Sequence, residues 1–280
     1  MTKIILKVSF VFLFLSANAV TAQNFNGTAV YESKTKTDGI DVTSNDMTDD
    51  MKKEMNEKVA KAFEKTYILN FNKFESFYFQ EEKLEAPSPG TNKGVTFKVS
   101  GSDKKIYKNS KEKIELSEEE FFGKEFLVQD SLPNWNWKLE SETKKIGNYT
   151  CHKATFIIPV SEEDKKEFEN LKKDKNDEKT NLLELSEPKE KLVTAWYAPE
   201  IPVSFGPDKY GGLPGLILEL NDGQTIILCS KISLNPKSKT EIKRLSKGKK
   251  VTQKQYEEIV VKQLGSMKNS KGQLEMHVGN

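Results

Sequence analysis

Side chains able to do redox, nucleophilic or metal chemistry are scarce in this chain. Its 280 residues hold two histidines, His152 and His277, and two cysteines, Cys151 and Cys229. A histidine metal site or a Ser-His-Asp triad would have to use one of those two rings, and neither lies in an HExxH string or near a GxSxG string. Cys151 and His152 are neighbours in a stretch that alternates like a strand, so they point to opposite faces and do not share one ion. No CxxC, P-loop, GxGxxG or EF-hand spacing occurs. Carboxylates and thioethers remain. Glu200, Asp208 and Glu219 flank a Gly/Pro-rich segment and would be the acid and base of a carboxylate hydrolase; as isolated surface acids they read as rim charges. Met47, Met51 and Met55 recur every fourth residue, a spacing that could offer three thioethers to a soft cation but reads more simply as adaptable packing for a sheet or a greasy ligand. No catalytic residue, metal or cofactor is assigned.

The bulk composition limits the partners. Lys+Arg number 44 and Asp+Glu 42, with 36% apolar and 31% charged residues, the balance of one water-compatible domain. Sixteen Phe, eight Tyr and three Trp supply enough area for a core. Lys3 and Lys7 border an apolar run over 8–15, and small residues then lead to Ala22, the layout of a secretory signal peptide. Export is therefore expected, to the periplasm or beyond, with no membrane span after cleavage at Gln23 and no lipid-modified cysteine at the junction. Without Lys3 and Lys7 the charges balance, and Arg244 is the only arginine, so nothing favours nucleic acid. An oxidising compartment permits a Cys151–Cys229 bridge, stabilising by about 3–4 kcal/mol; two buried free thiols are the alternative.

Period-two patterns mark the elements. Apolar residues alternate over 66–79 as a strand pair, and similar patches recur at 95–99, 126–128, 135–139, 149–158, 193–197, 216–220 and 225–234. No regular strand–helix alternation separates them, which disfavours a doubly wound parallel sheet. Residues 46–65 read as an amphipathic helix with the methionines on its apolar face. Residues 161–190 read as a charged insertion opened by Ser161, and the acid run 117–120 as a solvated helix face. A last helix over 252–264 starts with Thr252 and Gln255 at capping-box spacing, and 268–280 form a flexible tail.

The most specific string is YAPEIPVSFGPDKYGGLPGLILELNDG over 197–223. Pro214-Gly215 suits the centre of a type II turn, with the positive φ at glycine, and Asn221-Asp222-Gly223 suits a hairpin reversal between strands 216–220 and 225–229. Pro199, Pro202 and Pro207 would hold 200–210 as a stiff extended rim. GLPGLI at 212–217, with the preceding AWYAPEIPVSFGPDKYG and the upstream VQDSLPNWNWKLESETKKIGNYTCHKATF, closely resembles the signature of the GLPGLI family of exported proteins from Bacteroidetes-type bacteria. The resemblance implies export and a shared fold over most of 23–267, with 161–190 inserted; it implies no reaction or ligand.

The fold expected is mainly β, a curved antiparallel meander or half-barrel with two or three peripheral helices in one domain over 23–267. On that layout Met51, Met55, Trp135, Trp137 and the corner Gly212, Leu213, Pro214 and Gly215 would line an apolar concavity for a hydrophobic small molecule or peptide. A carboxylate envelope hydrolase and an interaction partner of an outer-membrane system are the other two classes.

Overall fold

The computed structural model describes residues 25–36, 48–81, 104–162, 164–166, 168–169, 187–237 and 240–266. The expected signal peptide at 1–22, the expected strand at 95–99, Met47, His277, the expected tail at 268–280 and most of the expected insertion at 161–190 lie outside the described residues.

Asparagine and aspartate punctuate the chain, and their side chains turn three of its hairpins. Asn72 Oδ1 accepts from the amides of Phe74 and Glu75, both at 2.8 Å, and turns β2 (Glu64–Asn72) into β3 (Glu75–Gln80). Asn109 Oδ1 does the same for Lys111 and Glu112 between β4 (Lys105–Asn109) and β5 (Ile114–Phe121). Asp222 Oδ1 caps Gln224 and Thr225, and Gly223 takes φ +89°, so β10 (Leu216–Asn221) returns as β11 (Thr225–Leu234) in the expected hairpin.

With β1 (Asn26–Thr35), β6 (Lys124–Ser131), β7 (Lys138–Ile146), β8 (Tyr149–Ile158), β9 (Lys191–Ala198) and β12 (Lys249–Val251), the strands form one open, curved, mixed sheet. Its order is β12-β6-β5-β4-β3-β2-β1-β11-β10-β9-β8-β7, two meanders sewn together by the antiparallel β1–β11 pair. Only β12 on β6 is parallel. The fold is thus mainly β, as expected.

Three local expectations are corrected. The acid run 117–120 lies within β5, where Glu118 and Glu115 stand opposite Lys105 and Lys108 of β4, so cross-strand charge pairing supports a strand that is poor in apolar residues. The strand expected at 135–139 begins only at Lys138, because Trp135 and Trp137 leave the sheet lane. The methionine helix, α1 (Asp49–Ala62), is capped by Thr48 but buries only Val59, and Met51 is 51% exposed, so its stripe is not a packed face.

The closing helix, α2 (Gln253–Ser266), starts with the expected reciprocal box: Thr252 N donates to Gln255 Oε1 at 2.9 Å, and Gln255 N donates to Thr252 Oγ1 at 3.2 Å. Tyr256 and Ile259 then pack on Phe126, Val128 and Val251. A second cluster, Phe77, Tyr107, Leu116 and Leu245, is covered by Ile242, while Arg244 grips Glu112 through two bonds of 2.7 and 2.8 Å.

Candidate functional site

Between β9 and β10, residues 199–215 fold inward. Ile201, Val203 and Phe205 are buried while Pro202 and Ser204 face out, a strand-like alternation. A bridge joins Phe205 to Gly211, Gly212 N donates to Ser204 O at 2.9 Å, and Leu216 and Ile217 donate to Ile201 and Phe205 at 3.0 and 3.1 Å. The segment is therefore a folded flap in the main core, which corrects the expectation of an extended rim. Proline stiffness sets the path, but burial of Ile201, Val203, Phe205, Tyr210 and Leu213 pulls it onto the sheet.

The glycines of the signature follow from that fold. Gly212 carries the positive φ, +85°, whereas Gly215 has none, so the type II turn with left-handed Gly215 is not formed. Gly215 is required for contact instead: a Cβ there would lie 2.4 Å from Ala198 O and 2.8 Å from Pro199 N. Leu213 is buried and Pro214 exposed.

Polar side chains of β1, β4 and the loop before β7 pin the flap and its exit into β10. Tyr31 Oη donates to Ile217 O at 2.7 Å, Trp137 Nε1 to Gly211 O at 2.8 Å and Trp135 Nε1 to Lys209 O at 3.3 Å. Lys108, 3% exposed, donates to the carbonyls of Asp208 and Tyr210 at 2.6 and 2.9 Å. Its carboxylate partner Glu115 is 3.7 Å away. Burial lowers the Lys108 ammonium below its ordinary range and raises the Glu115 carboxyl above its own. Asp208 adopts φ +54°, and although burial opposes its charge, Lys104 at 2.6 Å together with Lys108 and Lys209 holds its carboxyl below the usual value.

The predicted set divides. Trp135 and Trp137 meet the signature flap, but their indole N–H groups are spent on its carbonyls. Met51 and Met55 stand on α1, which packs beside β2, whereas Leu213 of the flap belongs to the main core. Each acid is engaged by a different group, two of them by lysines and one by a backbone amide. Glu219 receives two 2.7 Å bonds from Lys144, Glu200 accepts from Thr150 N at 2.9 Å, and Asp208 pairs with Lys104. No group of three His, Cys, Asp or Glu suited to a metal occurs among the described residues.

Cys151 on β8 and Cys229 on β11 are buried free thiols. β9 and β10 lie between them in the sheet order, and both sulfurs are unpaired. Burial pushes Cys151 up to about 11 and Cys229 up to about 12, from an ordinary 9.0. A chain that holds those protons more tightly when native has their stability contribution in full below pH 9 and loses it as pH climbs through about 11 to 12. Ellman's reagent at pH 8 is accordingly expected to leave both thiols unlabelled in native protein and to label two per chain in guanidinium; rapid native labelling would contradict the burial.

A groove of about 770 Å³ opens where the sheet ends. Lys138–Thr155 is the last β7–β8 pair, because the indoles draw the preceding chain toward the flap. Phe156, Ile157 and Ile158 continue beside β9 alone. They line the groove with Trp135, Pro159 and Leu192, and Asn134, Asn136 and Lys138 stand at its polar edge. Ile157 and Leu192, paired across β8 and β9, are 57% and 56% exposed. Sequence reading singles out Trp135 but misses Phe156, Ile157, Ile158, Pro159 and Leu192. The available signal was the break in alternation at Phe156-Ile157-Ile158, where three successive apolar residues make both faces of the strand greasy.

A family model described as "Protein of unknown function (Porph_ging)" matches residues 137–219, which run from Trp137 through the flap to β10; that family does not carry the GLPGLI name. No curated protein matches the chain. Two crystal structures of PNGF-II, in C2 and P21 space groups, align at TM-score 0.45 and 15% identity, covering 86% and 85% of this chain. The chain spans about a third of their length, 33% and 34%.

Proposed function

We propose that this is an exported, non-catalytic binding protein of the bacterial envelope that receives an apolar ligand or peptide segment in the groove at the β7–β8 end of its sheet. The observation that carries this reading is the pair Ile157 and Leu192, large, adjacent and more than half exposed, beside a cavity walled by Trp135 and Phe156. Glu219, Glu200 and Asp208, each engaged by a different group and not converging on one another, give a hydrolase reading no comparable support. Export rests on the leader-like residues 1–22, and placement with the GLPGLI proteins rests on the string at 212–217.

The test uses 1-anilinonaphthalene-8-sulfonate with the mature protein. Its fluorescence is expected to rise with a Kd in the tens of micromolar, and Ile157→Asp or Leu192→Asp should weaken binding at least tenfold without lowering Tm, since both positions are exposed. Mass spectrometry of an organic extract then identifies what copurifies. An unchanged signal in both variants would remove the groove from the account.

A further inference from the structure

The groove contains an interrupted β-ladder. β7 pairs with β8 only as far as Thr155, yet β8 runs on through Ile158, and among the described residues no backbone bond reaches the outer edge of 156–158. A strand edge left open beside an apolar floor is a template for another chain, because a guest main chain satisfies the ladder while alternate side chains enter the groove. A lipid or other hydrocarbon would cover Ile157 and leave those backbone groups dry and unpaired. The charge at the mouth selects further. Lys138 closes the end of the lane with a side chain 77% exposed, and its one carboxylate neighbour, Glu140 at 3.3 Å, also accepts from Thr155 Oγ1 at 3.0 Å.

We infer that the groove's ligand is an extended peptide segment of a partner protein, which continues the β7–β8 ladder by lying antiparallel on Phe156–Ile158, places an aliphatic side chain against Ile157 and Leu192, and sets an acidic residue by Lys138. This rests on the groove reading above and names its ligand class. Three residues open on their outer edge span about 10 Å, so the bound core is short and the complex weak and reversible.

The test titrates the mature protein with a panel of acetylated hexapeptides that alternate Val or Ile with Glu or Thr, each made also with N-methylated alternate amides in both phases. At least one parent peptide is expected to bind with a Kd below a millimolar. One phase of its N-methylation should weaken it tenfold or more, Ile157→Asp should abolish binding, and Lys138→Glu should weaken the Glu-bearing peptides severalfold. Equal binding of parent and both methylated forms would overturn strand addition while leaving an apolar groove. Failure of every peptide alongside retained anilinonaphthalene binding would overturn the peptide and keep the groove; failure of both would overturn both. Binding that emerges only when 163–186 are replaced by a short Gly-Ser linker would make the chain's own insertion the occupant and also overturn the inference.

Discussion

Gly215→Ala is expected to lower stability by about 3 kcal/mol or more, read as a fall in Tm of roughly 10 °C for a domain of this size. The added Cβ would meet the carbonyl carbon of Ala198 at 2.6 Å and its oxygen at 2.4 Å. Backbone atoms cannot rotate aside as a side-chain tip can, so relief requires moving the β9 end or the flap. Leu213, Leu216, Ile217 and Leu218, all buried to within 1% of full coverage, would then lose their packing. Gly212→Ala supplies the comparison. That site is open in space but left-handed, so the cost there is the smaller conformational one of about 1 kcal/mol. A Gly215→Ala protein as stable as the parent would mean that the flap does not press on β9.

The second large effect is expected at Lys108. Lys108→Met keeps the length of the stem but removes the ammonium, leaving the Asp208 and Tyr210 carbonyls without their donor and the half-buried Glu115 carboxylate without its counter-charge. Breaking a buried ion pair from one side costs about 3–5 kcal/mol, most of it the desolvation of what is left behind. Adding Glu115→Gln should therefore recover part of the loss, an interaction visible as non-additivity in urea denaturation. Additive losses would show that Lys108 serves the flap carbonyls alone.

Some of this was readable from residue types. The β10–β11 hairpin was legible in Asn221-Asp222-Gly223, and the start of α2 in Thr252 and Gln255, because each of those signals acts within four residues of itself. The β5 strand was not, since its glutamates owe their place to lysines of β4 that a local reading does not bring opposite them. Lysine reads as a surface residue, so nothing near Lys108 announced a buried clamp whose acceptors lie a hundred positions later. Gly215 was recognised as obligatory, but for torsion rather than for contact, because its neighbour Ala198 is set by the flap's return and not by the turn. The groove was least legible: it is made by β7 stopping short, which follows from two indoles bonding to the flap.

The central claim is that the GLPGLI segment is interior architecture, a flap held to the sheet by side chains rather than a loop presented to ligands. Native-state hydrogen exchange at the amides of Gly212, Leu216 and Ile217, which donate to Ser204, Ile201 and Phe205, tests it most directly. Protection equal to that of the central β1–β11 pair, with all three amides released only by global unfolding, is the predicted result. Exchange of these amides at rates typical of surface loops, while β1 and β11 stay protected, would contradict it.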